Sequence, residues 1–221
     1  MKEPVVIAID GTSASGKSTN AKLIACKLGF VYVDTGAMYR TLAWHCLQSG
    51  VDIHDAKAVA AQLRRWKPKF VCVEEGFKQV RLLVGAYYPE KEIRTAETSA
   101  AVPHVAAVPK VRDWMKKKQR ECVQFGNLVM EGRDIGSNVF PETDYKFYLD
   151  ASLEERHRRR VADGVKEDLA KRDQRDSQRK AAPLIIPLGA VVINNSGETP
   201  DQTSGRIIAE FERRRAAANA R

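Results

Sequence analysis

The residues Gly11-Thr12-Ser13-Ala14-Ser15-Gly16-Lys17-Ser18 match the pattern G-x-x-x-x-G-K-[ST] of a phosphate-binding loop. The chemistry that this spacing serves is anion capture. Glycines let backbone N–H groups turn inward around a phosphate. A helix opening directly behind the loop adds the partial positive charge of its N-terminus. Lys17 then reaches the β- and γ-phosphates, and the Ser18 hydroxyl ligates Mg2+. The stretch from Gly11 to Ser18 therefore predicts a site for a nucleoside triphosphate with Mg2+.

Three further clusters carry groups that bind anions or bases. Asp34-Thr35-Gly36-Ala37-Met38-Tyr39-Arg40 offers a hydroxyl, a helix N-terminus and an arginine within two turns. It reads as a second anion site or as an ordinary capped helix. Gly132-Arg133-Asp134 pairs an anion ligand with a hydrogen-bond acceptor, or forms a structural ion pair. Glu131 before it could orient Mg2+ through water. Arg172, Arg175, Asp176 and Arg179 stand at i, i+3, i+4 and i+7 and would share one helical face. Guanidiniums on one stripe repel unless an anion neutralises them, which favours a phosphate-clasping lid over a solvated helix of alternating charge. No candidate general base stands out. An alcohol acceptor would need one. A phosphate monoester is already anionic near neutral pH and needs charge neutralisation and alignment instead.

The elements around these clusters alternate. Val5–Asp10 reads as a buried strand and Thr19–Leu28 as the helix after the loop. Strands are also expected at Phe30–Val33, Asn127–Glu131, Tyr145–Asp150 and Ala190–Asn194. Helices are expected at Ala37–Gln48, Asp55–Trp66, from Thr95, after Pro109, from a capping box at Ser152-Leu153-Glu154-Glu155, and at Pro200–Ala217. Strand–helix alternation predicts a parallel sheet covered on both faces, with ligands at the carboxyl ends of its strands. Lys69–Val73 and Lys78–Val84 instead predict a hairpin, with a third short run near Tyr87–Ile93. That lobe interrupts the alternation.

The 221 residues suffice for one α/β unit with an insertion. Hydrophobic residues make up 43%, which is enough for a substantial core. No stretch approaches the roughly 20 apolar residues of a membrane span, and a strand that begins almost at once predicts no signal peptide. Cys26, Cys46, Cys72 and Cys122 are scattered, which predicts buried free thiols in a reducing cytoplasm rather than a metal site. The net charge of +9 could signal nucleic-acid binding. The arginines from 156 to 179 alternate with acids, however, which suits a small-anion site better.

These motifs, in this order and spacing, resemble the bacterial cytidylate (CMP) kinases over nearly the whole chain. Pro109-Lys110-Val111-Arg112 and the segment from Phe140-Pro141 to Arg156 share in the likeness. The resemblance implies a nucleoside monophosphate kinase fold. Its parts would be a P-loop core with a central parallel five-stranded sheet, a monophosphate-binding lobe carrying an antiparallel insertion, and a short helical lid. It places the core at 1–35, 105–155 and 183–221, the lobe at 36–104 with its insertion at about 66–95, and the lid at 156–182. It implies transfer of the γ-phosphoryl group of ATP to CMP or dCMP. No strong interface stripe shows in the sequence, so a monomer is expected, cytoplasmic as the scattered cysteines suggest, with no nucleic-acid or membrane partner. Carried over by motif, Gly11–Thr19 hold ATP with Lys17 on the transferring group. Thr35 and Arg40, within Asp34-Thr35-Gly36-Ala37-Met38-Tyr39-Arg40, hold the CMP phosphate together with Arg133. Arg112, Asp134 and Arg179 read the cytosine. Arg172 and Asp176 contact the sugar, and Arg175 joins the lid arginines that stabilise charge during transfer. The chain departs from the family at Pro103, where relatives often place a serine against the base. A P-loop kinase of another acceptor, such as shikimate or dephospho-coenzyme A, fits the acceptor motifs poorly. A nucleic-acid-binding P-loop protein is the alternative outside kinases.

Overall fold

A computed structural model describes residues 3–162, 164, 168–178 and 182–220. Strand β1 (Val6–Gly11) is buried along its whole length. It pairs in parallel with β5 (Leu128–Glu131) on one side and β6 (Lys146–Asp150) on the other. Next to β5 lies β2 (Val31–Asp34), and next to β6 lies β7 (Val191–Asn194), both parallel. These form the expected five-stranded core. Each central strand sends alternate residues into two cores. Val6 and Ala8 face one, and Ile7 and Ile9 face the other. That is why β1 reads as a continuous apolar run rather than an alternating one.

The first core is closed by α2 (Thr35–Gln48), α3 (Ala56–Arg65), α4 (Ala96–Ala107) and α5 (Pro109–Glu121), through Met38, Leu42, Val59, Val105 and Met115. The second is closed by α1 (Lys17–Leu28) and α8 (Pro200–Asn219), through Ile24, Ile207 and Phe211. The remaining helices, α6 (Leu153–Ala162) and α7 (Leu169–Ser177), lie beyond the carboxyl end of β6.

The expected hairpin forms from β3 (Lys69–Glu74) and β4 (Lys78–Leu83), turning at Gly76 with φ 75°. It is not a separate sheet. Tyr32 of β2 pairs with Gln79 of β4, so the five strands continue into seven, in the order β3-β4-β2-β5-β1-β6-β7. Phe77 at the turn packs edge-on against Tyr32, with ring centroids 6.0 Å apart. The third run does not become a strand. It supplies a single bridge, Val84 to Tyr87, and then a 3-10 turn at Glu92–Arg94.

Helix starts follow side-chain chemistry. Asp34, Asp55, Thr95 and Asp168 each accept a backbone N–H of the first turn that follows. The capping box expected at Ser152 is half formed. Glu155 donates its N–H to Ser152 Oγ at 3.2 Å, but its carboxylate turns to Arg158 and Arg159. The full reciprocal box lies at Thr199 and Gln202, where α8 begins with Pro200 at its first position. Of the four cysteines, Cys46 and Cys122 are buried as expected, whereas Cys26 and Cys72 are exposed.

Candidate active site

Because β1, β2, β5, β6 and β7 run parallel, the segments that follow them gather at one edge of the sheet. There they line a cleft of about 590 Å3. Its floor is the loop between β1 and α1. Gly11, Ala14 and Gly16 carry φ values of 149°, 58° and 84°, which curl the backbone around an inward cavity. Gly11 admits no side chain, since a Cβ there would meet the Leu149 carbonyl oxygen at 1.9 Å.

The loop carbonyls are fixed from outside. Gly11 O accepts from Arg133 Nη1 at 3.0 Å, and Thr12 O from Lys17 Nζ at 2.5 Å. Ser13 O accepts from Arg156 Nη1 at 3.2 Å, Ser15 O from Asn195 Nδ2 at 2.9 Å and Gly16 O from Asn20 Nδ2 at 2.9 Å. Thr12 Oγ1 donates to Asp150 Oδ1 at 2.8 Å, at the end of β6. A loop braced through its carbonyls holds its shape before any anion arrives, so little reorganisation is left for binding.

The opposite wall comes from α2, the turn after β5, and α4 and α5. Asp34 caps α2 through Ala37 N at 2.7 Å and pairs with Arg40 at 3.1 Å. The cluster at Asp34 is thus both a capped helix and a cleft wall. Thr35 Oγ1 donates to the Glu131 carbonyl at 2.7 Å, which ties α2 to β5. The Arg133–Asp134 pair does not bond to itself. Arg133 Nε pairs with Asp176 of α7 at 2.9 Å, and Asp134 Oδ2 accepts from Arg112 Nη2 of α5 at 2.6 Å and from Asn138 Nδ2 at 2.9 Å. Arg112 also lies over the Tyr39 ring, 5.7 Å from its centroid. The Nε atoms of Arg40 and Arg112 are buried with no hydrogen-bond partner among the described residues.

Beneath the wall sits Glu131. Its Oε1 accepts from the Tyr32 hydroxyl at 2.8 Å, and the Ser18 side chain lies beside the same carboxylate. Burial, with Asp34 nearby, pushes this carboxyl above its ordinary range. An added cation would reverse that. A hydroxyl and a carboxylate converging beside the loop are the oxygen donors that Mg2+ takes.

Among the predicted site residues, Ser13, Ala14, Gly16, Lys17, Ser18 and Thr19 line the donor side of the cleft. Asp34, Thr35, Gly36, Arg40, Arg112, Arg133, Asp134 and Asp176 line the rest. Gly11, Thr12 and Ser15 do not line it; they shape the loop from behind. The charged stripe expected from 172 to 179 is partly realised. Arg172 and Arg175 lie in α7, but the helix ends at Ser177 and Arg179 lies outside the described residues.

Other cleft residues carry no motif of their own. Arg94 enters from the 3-10 turn of the insertion, and Arg158, Arg159 and Arg160 enter from α6. Asn195 fixes Arg159, accepting at Oδ1 and at its carbonyl at 3.2 and 3.1 Å. Pro103 is absent from the cleft wall; α4 faces it with Val102 and Ala106. Asp10 escaped notice as the last polar residue of an apolar strand. It is fully buried and accepts the N–H groups of Ile135 and Gly136, both at 2.7 Å. Burial raises its carboxyl to about 7 against the lowering effect of those two bonds.

The family model for cytidylate kinase matches residues 7–213. A cytidylate kinase of Geobacillus thermodenitrificans is 41% identical over 94% of this chain and 96% of its own length. One of Clostridioides difficile is 37% identical over 94% and 98%. A bifunctional pantoate ligase/cytidylate kinase of Trichormus variabilis is 38% identical over 95% of this chain, which spans 41% of that longer protein.

Proposed function

The chain belongs to the cytidylate kinase family, and from that premise we propose how its cleft moves the γ-phosphoryl group of ATP to CMP or dCMP, giving ADP and CDP or dCDP. The observation that carries the reading is the state of the acidic groups. Among the described residues, each cleft carboxylate is already engaged: Asp34 by Arg40, Asp134 by Arg112, Asp176 by Arg133, and Glu131 by Tyr32. Glu155 is held by Arg158 and Arg159, and Glu198 by Arg206 and Thr203. None is held ready to take a proton from an alcohol, and basic side chains outnumber them around the cleft. An acceptor that is itself a phosphate needs neutralisation and alignment, which this set supplies.

ATP is held with its phosphates against the amides of the loop, and Lys17 follows the transferring group. Ser18 and Glu131 would hold Mg2+, which neutralises charge between the phosphates when bound. Arg40, Arg133 and Thr35 hold the CMP phosphate. Asp134, fixed by Arg112, accepts from the exocyclic amine of cytosine; uracil presents a carbonyl at that position. Asp176, with Arg172 and Arg179, serves the sugar and base, and Arg175 serves the transferring charge. A cytoplasmic setting accords with ATP and CMP as substrates. A monomer accords with a cleft assembled from one chain, and no helix among the described residues is long and apolar enough to cross a membrane.

A coupled ADP-release assay with CMP, dCMP, UMP, AMP and shikimate tests the reading. CMP and dCMP should be the fast acceptors, and activity confined to another acceptor would sink it. Asp134→Asn turns a donor toward the cytosine amine. It should erode the CMP-over-UMP ratio of kcat/KM by about ten- to a hundredfold, the effect of ~1–3 kcal/mol in base readout. An unchanged ratio removes Asp134 from recognition.

A further inference from the structure

Helix α7 rests on the donor loop through one carboxylate. Asp173 Oδ1 accepts the Ser13 N–H at 3.0 Å, and its Oδ2 pairs with Arg156 of α6. The same Arg156 donates from Nη1 to the Ser13 carbonyl at 3.2 Å and from Nε to the Ala151 carbonyl at 3.1 Å. The Ser13 peptide is therefore gripped on both sides, its N–H by α7 and its C=O by α6. One turn further along α7, Asp176 holds Arg133, which holds the Gly11 carbonyl. Two points of the loop, two residues apart, are thus tied to one helix.

This arrangement costs the loop an amide. Ser13 directs its N–H to a protein carboxylate instead of into the cavity. A carboxylate is a strong acceptor for an N–H, and Arg156, itself buried, keeps that of Asp173 aimed. The alternating acids between the arginines of this stretch are thereby explained as anchors. Asp173 stands directly between Arg172 and Arg175 in sequence, on the backbone they share.

We propose that Asp173 is a positioning residue that seats α7 on the phosphate loop and so aligns the helix carrying Arg172 and Arg175 with the donor phosphates. The inference rests on the kinase reading for its catalytic consequence, though not for the seating itself. Asp173→Ala should lower kcat at saturating ATP and CMP by about ten- to a hundredfold, the loss expected when catalytic groups are displaced by about 1 Å. KM for ATP should change less than about threefold, because the other loop amides are untouched. Asp173→Asn keeps an acceptor for Ser13 while facing Arg156 with an amide, and should fall between Ala and wild type. In the full chain without nucleotide, amide exchange at Ser13 and across residues 169–177 should accelerate in Asp173→Ala, with the thermal midpoint little changed.

Unchanged exchange at Ser13 and α7 overturns the seating, whichever way kcat moves. Unchanged kcat with accelerated exchange overturns its catalytic role. A kcat loss that tracks a falling thermal midpoint, with Asn no better than Ala, marks Asp173 as merely structural and overturns the proposal as well. If the wild-type chain phosphorylates no CMP, the kinase reading fails on its own, and the exchange measurement still decides the seating.

Discussion

The two halves of the cleft are built from different materials. The donor half is backbone. Its shape lies in three left-handed residues and in carbonyls braced from β5, α6 and the end of β7. The acceptor half is side chains, mostly arginines already paired with acids: Arg40 with Asp34, Arg112 with Asp134, Arg133 with Asp176. Apart from the Ser13 N–H, which Asp173 takes, the donor half offers phosphate fixed backbone amides rather than side chains that neighbours hold. Paired guanidiniums still have donors to share, and an incoming phosphate competes with their carboxylates. The donor half should therefore fail all at once when changed, and the acceptor half by degrees.

The sharpest break is Lys17→Ala. Lys17 is the cation inside the loop, buried and donating to Thr12 O. On the proposed reading, its removal takes a stabilising cation from the transferring charge, and kcat should fall about a thousandfold, at the upper end of losses for a single stabilising donor. ATP affinity should fall far less, because the loop amides remain. Steady-state kinetics beside equilibrium titration of ATP separates the two effects. Gly11→Ala attacks the frame instead. Its φ of 149° and the 1.9 Å approach to a backbone carbonyl leave no room to yield. Backbone strain and displacement of β6 should cost about 3 kcal/mol or more of folding stability, read as a lower urea midpoint. A near-native midpoint would show that the donor half is softer than its geometry implies.

This asymmetry also governs what the sequence discloses. The donor loop is contiguous, so its glycines, lysine and serine announce themselves in one stretch and are confirmed by the flanking strand and helix. Four of the core strands, β1, β2, β5 and β6, are equally legible because burial on both faces leaves an apolar run, whereas β7, half exposed, shows only in its Ala190-Val191-Val192-Ile193 run. The acceptor partners are another matter. Arg133 and Asp134 are neighbours in sequence, yet each pairs with a distant helix, α7 and α5. A sequence shows which charges exist and not which ones meet. Arg94 and Asn195 sit in no motif, and the edge pairing of the hairpin rests on the single Tyr32–Gln79 contact, which has no pattern to reveal it.

Asp10 joins the two halves, and its effect should be intermediate. It precedes Gly11 directly, and its carboxylate holds the turn that carries Arg133 and Asp134. Asp10→Asn replaces one acceptor oxygen with a donor facing an amide N–H. The buried mismatch should cost about 1–3 kcal/mol of stability and raise KM for CMP more than KM for ATP. The variant should also change the pH dependence of stability. A carboxyl held at about 7 in the folded chain, against an ordinary value of 3.8, binds its proton more tightly folded than unfolded. Its contribution is fully present below about pH 4 and is lost as the pH rises through 7. Urea midpoints from pH 4 to 8 should lose that component in the asparagine variant. An identical profile would mean that Asp10 does not titrate in this range.

The smallest effect belongs to Gly36, the acceptor-side counterpart of Gly11. A Cβ on Gly36 would lie 3.1 Å from Arg40 Nη1 and 3.1 Å from Asp34 Oδ1. Both are ends of side chains rather than backbone, so they can yield by a few tenths of an ångström. Gly36 lies in the first turn of α2 without a left-handed φ, and alanine is the better helix former there by up to about 1 kcal/mol. Stability should hold or rise slightly in Gly36→Ala. The displaced Arg40 should weaken the CMP phosphate site by about 1 kcal/mol, which is roughly a fivefold rise in KM for CMP. KM for ATP should not move. If Gly36→Ala instead proved as damaging as Gly11→Ala, the acceptor wall would be as rigid as the loop, and the contrast between a backbone site and a side-chain site would fall.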